Sequence, residues 1–262
     1  MKIYSWNMLF VNRELERAFA FIRDSDADIF CLQEVPEPFL KRLRASSFSI
    51  AYRNDMTKLF CSGTVHTYNV ILSRHPLLAQ GEIPYEDYWP LLPLRTRFFV
   101  FLMRPFLFTK IRDRGGIYAD VRIGGTLVRV FNLHLILARP QWRLREFEAA
   151  MAKREPSLPT VVCGDFNILE SPKISILNWL VGGAFGDAVF WKRERAAIEE
   201  RFSTHALANP LRGRSTHPIS RSQLDHILVS EDFTVARAAV LPDRIGSDHH
   251  PIFAEATLDM RA

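Results

Sequence analysis

Short apolar runs that stop on a polar residue recur along the chain, and they limit what it can fold into more than any other feature. In Thr160-Val-Val-Cys-Gly-Asp165-Phe-Asn167, residues suited to a buried strand lead straight into a turn that presents a carboxylate and a carboxamide two positions apart. The pattern returns at Lys2 to Asn7, Ile29 to Glu34, Val130 to His134, Gln223 to Leu228 and Gly246 to Pro251. These strand ends carry Asn7, Glu34, His134, Asp165, Asn167, Asp225, Asp248 and His249, groups that would be wasted inside a core. Such a set can hold a hard divalent cation through oxygen atoms, position a water, and keep a histidine for charge developing on a phosphate.

At 262 residues with 48% hydrophobic residues, the chain can bury a large core. It contains no Gly/Ser-rich linker, internal repeat or low-complexity tract, so one domain over residues 1–262 is expected. The first residues lack the apolar stretch and small-residue cleavage site of a secretory signal, which makes the cytoplasm the expected location. Cys31, Cys61 and Cys163 stand far apart and form neither a disulfide set nor a Cys-x-x-Cys pair, so reduced thiols are expected. A formal net charge of +5 points to an anionic partner, whether nucleic acid, a phosphorylated small molecule or an acidic membrane surface. Nothing in the sequence calls for an obligate protein partner.

Strands alternate with helices in the first half, and the second half is richer in strands. Leu15, Ala18, Phe19 and Ile22 fall on one face of a helix expected over 13–23, and further helices are expected over 37–45, 140–153 and 173–181. Beyond the strand ends already named, strands are expected near 48–53, 67–72, 117–123, 126–133, 233–240 and 251–258, with a hairpin turn at Gly124-Gly125. This mixture predicts an α/β chain with two packed sheets flanked by helices.

Residues 88–111 break the rhythm, combining aromatic and aliphatic side chains with Arg95, Arg97, Arg104 and Lys110 and no acid. Pro93, Arg104 and Pro105 interrupt it too often for a membrane span, which needs roughly 20 apolar residues. Two readings stand: a core strand or hairpin over Arg97 to Met103, or an apolar, basic lip beside the active site, carrying Phe106 and Phe108, that rests on a membrane interface or a hydrophobic substrate.

The strings Ser-Trp-Asn7, Leu-Gln-Glu34, Asn-Leu-His134, Gly-Asp165-Phe-Asn167, Leu-Asp225-His and Ser-Asp248-His249-His-Pro resemble, in order, the signature of the endonuclease/exonuclease/phosphatase superfamily. The resemblance runs from residue 4 to residue 254 and is carried by the order of the motifs, since Gly-Asp-Phe-Asn alone is not specific. It implies a DNase I-like four-layer sandwich of two mainly antiparallel sheets between helices, and a phosphoesterase dependent on Mg²⁺ or Mn²⁺. It further implies that Asn7, Glu34 and Asp248 serve the metal and that Asp165 and Asn167 set the attacking water. His249, backed by Asp225, and His134 would neutralise the transition state, while His226 and His250 would be flanking residues.

The chain also departs from parts of that superfamily. Abasic-site endonucleases carry an acid two residues after the first-motif Asn, where this chain has Leu9, and their catalytic Tyr has no counterpart. His134 aligns the chain instead with the DNase I, sphingomyelinase and phosphatase branches. Arg212, Arg214 and Arg221 stand where a phosphatase reads phosphates, or form a solvated basic loop. The expected activity is Mg²⁺-dependent hydrolysis of a phosphoester as a phosphodiesterase, with endo- or exonuclease action one form of it and a membrane-associated sphingomyelinase-like or inositol-phosphatase-like lipid phosphoesterase, or a non-catalytic binding module, as alternatives.

Overall fold

The computed structural model describes residues 1–103, 109–172 and 174–259. The first part of the chain forms β1 (Lys2–Asn7), α1 (Leu15–Asp24), β2 (Ile29–Pro36), α2 (Glu37–Arg44), β3 (Ser49–Phe60), β4 (Gly63–Ser73) and β5 (Leu77–Pro84). There follow α3 (Leu94–Met103), β6 (Lys110–Arg112), β7 (Gly115–Ile123), β8 (Thr126–His134), α4 (Pro140–Met151) and β9 (Thr160–Asp165). The last part holds α5 (Ser175–Leu180), α6 (Phe185–Val189), α7 (Lys192–Thr204), β10 (Leu207–Ala208), β11 (Asp225–Ser230), β12 (Phe233–Val240) and β13 (Ile252–Leu258).

Two sheets stack face to face, one ordered β12-β13-β1-β2-β4-β3-β6 and the other β10-β11-β9-β8-β7-β5. Each is antiparallel apart from one central parallel pair, β1 with β2 and β8 with β9. Alternate residues along every central strand therefore face the other sheet. Ile3, Ile29, Ile71, Val128, Val130, Val161, Ile227 and Ile252 fill that inner layer, while Trp6, Phe30 and Leu32 turn outward onto α1 and α2. On the far side Phe131, Val162 and Leu228 pack against Phe147 of α4 and Ile198 and Phe202 of α7. The result is the four-layer sandwich expected from the resemblance. Truncating one of these buried rings to Ala costs about 3–5 kcal/mol.

The sequence-derived elements lie where expected, with boundaries moved by a few residues, and the Gly124-Gly125 hairpin has φ of 55° and 88°. Gly164 is required by close approach as well as by its φ of 144°: a Cβ there would lie 1.9 Å from the carbonyl oxygen of Leu133 on the neighbouring strand. Strand β5 and the helices α6 and α7 had no expectation. The reading of Arg97 to Met103 as a strand is corrected, because the segment is the helix α3. Its apolar residues neither alternate nor follow a clean helical period, so periodicity could not decide between the two. Phe106 and Phe108, together with Arg104 and Pro105, lie outside the described residues. Among the described residues no helix is long and apolar enough to cross a membrane.

Candidate active site

The inner layer between the sheets changes character toward one end. Following the two-residue period past the apolar positions, β1 reaches Ser5 and Asn7, β2 reaches Gln33, β8 reaches Asn132 and His134, β9 reaches Asp165, and β11 begins with Asp225. Asn132 ties the sheets together there, donating to the carbonyls of Leu32 and Val70 at 2.9 Å each and accepting from Gln33 at 2.6 Å. Register then sets the reacting groups side by side, since Asp165 pairs with His134 on one flank and with Asp225 on the other.

Asp165 is the centre of the site. Its Oδ2 accepts a hydrogen bond from Asn7 Nδ2 at 2.9 Å across the gap between sheets, and the Nε2 atoms of His134 and His249 each stand 3.7 Å from the same oxygen. Its Oδ1 accepts from the backbone N–H of Asn167 at 2.9 Å, and Asn167, at φ 54°, donates its amide to the Leu135 carbonyl. Each histidine is held from behind by a buried carboxylate, His249 Nδ1 by Asp225 at 2.9 Å and His134 Nδ1 by Asp55 at 2.8 Å. Those bonds fix the ring orientation and leave both Nε2–H groups aimed at the space beside Asp165.

Electrostatics favours the cationic form of both rings. Burial works against the His249 imidazolium, but the charges of Asp225 and Asp165, the hydrogen bond to Asp225 and the charge of Asp248 push its pKa up to about 10. Burial likewise opposes His134, and Asp55, Asp165 and Glu34 outweigh it and raise the pKa. Burial would raise the Asp55 carboxyl, yet His134, Arg114 and Lys58 hold it below the ordinary range. Arg114 also donates to the His134 carbonyl at 2.8 Å and pairs with Glu146, which accepts from the N–H of Ile136 at 2.7 Å, so the backbone around His134 is pinned as well.

Glu34 stands at the rim. A bulge in β2 between Leu32 and Val35 and a φ of 52° turn its side chain out of the strand alternation. Its Oε2 accepts from the Phe10 N–H at 3.3 Å and from the Lys58 ammonium at 2.9 Å, with Lys58 also 3.8 Å over the Phe10 ring. Lys58 is almost fully buried, at 3% exposure, so a cation already pairs with one oxygen of Glu34. The donors are carboxylate and amide oxygens without a thiolate, and one oxygen of buried Asp225, Oδ1, lacks a hydrogen-bond partner. This set fits a hard divalent cation.

Asp248, expected with Glu34 and Asn7, is reached through Ser247, whose hydroxyl donates to the Asn7 carbonyl at 2.7 Å. It lies 3.7 Å from His217 Nε2, and its pKa, raised by burial, is brought below the usual range by His217 and His249. Two sets of ligating atoms, Asp165 with Asp225 and His249, and His217 with Asp248 and His249, each lie within 4.8 Å of one another. Arg212 turns to Glu199 of α7 at 3.6 Å, while Arg214 and Arg221 are exposed on the loop that carries His217. His226 faces α7, accepting from Arg195 at 2.8 Å, and His250 Nδ1 bonds the Leu241 carbonyl, so both flank the site as expected.

Asp55 and Lys58 were not among the residues singled out for the site. Asp55 and Lys58 lie on β3 around a bulge between Asn54 and Met56 that scrambles the two-residue alternation, so only the burial of a Lys and an Asp within one strand could have flagged them.

A model of the endonuclease/exonuclease/phosphatase family matches residues 4–249. The chain belongs to that family. Its fold matches a family member from Beutenbergia cavernae at TM-score 0.66 and 17% identity, covering 98% of this chain and 71% of that one. A mannosyl-6-phosphatase from Bacteroides thetaiotaomicron matches at TM-score 0.60 and 17% identity, with 98% and 100% covered. The 3′ phosphatase NExo from Neisseria, bound to a product DNA hairpin, matches at 0.59 and 19%, with 99% of each chain covered. No curated protein matches by sequence. As a member of this family, the chain is a hydrolase of phosphoester bonds.

Proposed function

We propose that the chain hydrolyses a phosphodiester with Mg²⁺ or Mn²⁺ and a water activated at Asp165. The observation that supports this most is the convergence of Asn7 and two carboxylate-backed imidazoles on a single oxygen of Asp165. Two cationic Nε2–H donors beside a carboxylate suit a phosphate whose non-bridging oxygens gain charge as the nucleophile arrives. Asp165 accepts the proton of the attacking water, Asn7 and Asn167 hold that carboxylate in place, and an imidazolium returns a proton to the departing oxygen. Glu34 and Asn7, whose Oδ1 keeps one lone pair after accepting from Leu9, would hold the metal, with Asp248 as a further oxygen donor. When bound, the ion supplies Lewis-acid polarisation of the phosphate. Arg214 and Arg221 are available to the rest of an anionic substrate.

A phospholipid ester is the second reading, favoured by the exposed apolar side chains of α3 and α6. Hydrolysis of a bis-aryl phosphodiester with Mg²⁺, Mn²⁺ or EDTA tests the primary proposal. Asp165→Ala should lose roughly 10² to 10³ of the rate with an unchanged circular dichroism spectrum. Equal rates in this variant and wild type would remove the mechanism. Plasmid DNA, RNA and phospholipid in the same assay separate the substrates.

A further inference from the structure

Two helical excursions leave the sheets at the end where the catalytic groups lie. The chain leaves the second sheet at Pro84, beside the β7 end that pairs toward His134, forms α3, and re-enters at Lys110–Arg112 against Thr57–Leu59 of the first sheet. The other excursion, α5 with α6, follows Asn167 directly. The two touch: Arg95 of α3 donates to the carbonyls of Trp179 and Gly183, and Trp179 meets Phe185 edge to face. Their base is packed, with Tyr88 stacked 4.3 Å from Trp142 over Leu92 and Ala138.

Above that base α3 leaves large apolar side chains in solvent. Leu94 and Phe98 of α3, spaced one turn apart, are 81% and 61% exposed, and Leu102 one turn further is 57% exposed. Phe185 and Phe190 beside them are 65% and 49% exposed. The charges around this surface are mainly positive. No Asp or Glu occurs between Asp87 and Asp113, while Arg95, Arg97 and Arg112 are exposed; Lys192 and Arg193 border α6, whose Asp187 is engaged by the N–H of Ala184.

We infer that the α3–α6 surface docks the enzyme on an anionic lipid membrane, with the cleft opening toward that membrane. A second copy of the chain is a poorer occupant, because symmetric pairing would press the same cations together, whereas anionic headgroups neutralise them and the apolar stripe enters the acyl boundary. The inference goes beyond the phosphoesterase reading and joins its lipid alternative, on which only the choice of substrate depends.

Vesicle flotation tests it. Wild type should float with phosphatidylcholine vesicles containing phosphatidylserine at least about tenfold more than with phosphatidylcholine alone, and salt should weaken the binding. Leu94→Asp with Phe98→Asp, and separately Phe185→Asp, should lose about tenfold or more of that binding while melting and bis-aryl phosphodiester hydrolysis stay unchanged. Variants that float as wild type does, or a wild type indifferent to phosphatidylserine, overturn the inference. So does a wild-type dimer that these variants convert to monomer without any vesicle binding. Flotation requires no turnover, so a protein that floats but hydrolyses nothing keeps the membrane surface and loses the phosphodiesterase proposal.

Discussion

Asp55 accepts the Nδ1 hydrogen of His134 at 2.8 Å from 79 residues away in the chain, reproducing on one flank of Asp165 what Asp225 does for His249 on the other. The site is thus bracketed by two Asp–His pairs that each span the sandwich, Asp55 on β3 with His134 on β8, and Asp225 on β11 with His249 just ahead of β13.

Replacing Asp55 by Asn should lower kcat/KM by about 10- to 100-fold, the usual effect of losing the partner that orients a reactive histidine. It should also move the alkaline limb of the pH–rate profile. The carboxylate raises the His134 pKa, so its removal lets the imidazolium deprotonate at lower pH and activity fade sooner as pH rises. A pH profile of Asp55→Asn that superimposes on wild type after scaling would show that His134 does not act as a cation.

A divalent ion held by Glu34, as proposed, would have to compete with Lys58. Lys58→Met should therefore tighten Mn²⁺ binding by about tenfold in calorimetry, since the repulsion between ammonium and metal disappears. The same variant should melt lower without metal and recover when metal is added, because Glu34 has lost its partner. Unchanged metal affinity would place the ion away from Glu34.

Oxygen donors at Asn7, Glu34 and Asp248 favour hard cations. EDTA dialysis should abolish hydrolysis, and Mg²⁺ or Mn²⁺ should restore it more fully than Zn²⁺. Restoration by Zn²⁺ alone would assign the metal to the histidine cluster around His217 instead.

His226 links pH to stability. Burial and the neighbouring Arg195 charge depress its pKa well below the ordinary 6.5, so below that pH the unfolded chain binds a proton the folded chain refuses. Stability should accordingly fall as the pH drops below about 6.5, by up to about 1.4 kcal/mol per pH unit from this group. Urea titrations at pH 7 and pH 5 should show a smaller loss in His226→Gln than in wild type. Identical losses would mean that other groups dominate the acid limb.

The sequence by itself determined the strand ends and the order in which they present Asn7, Glu34, His134, Asp165, Asn167, Asp225 and His249. Asn7, His134 and Asp165 each follow a short apolar run whose two-residue alternation, continued past the last apolar residue, still points into the space between the sheets. That signal is local, so one strand suffices to read it, and it also marked His226 as outward-facing. What only the tertiary structure decided depends on which strands become neighbours. Asp55 meets His134 because β3 lies across the sandwich from β8, and the β3 bulge conceals its facing in the sequence. Lys58 covers Glu34 because a second bulge, in β2, re-aims that glutamate. Asp248 turns to His217 because the 209–222 loop folds back over β11. The α3 helix declares its exposed stripe only once its polar and packed contacts are in place, since a segment apolar on every side has no period from which its outward face can be read.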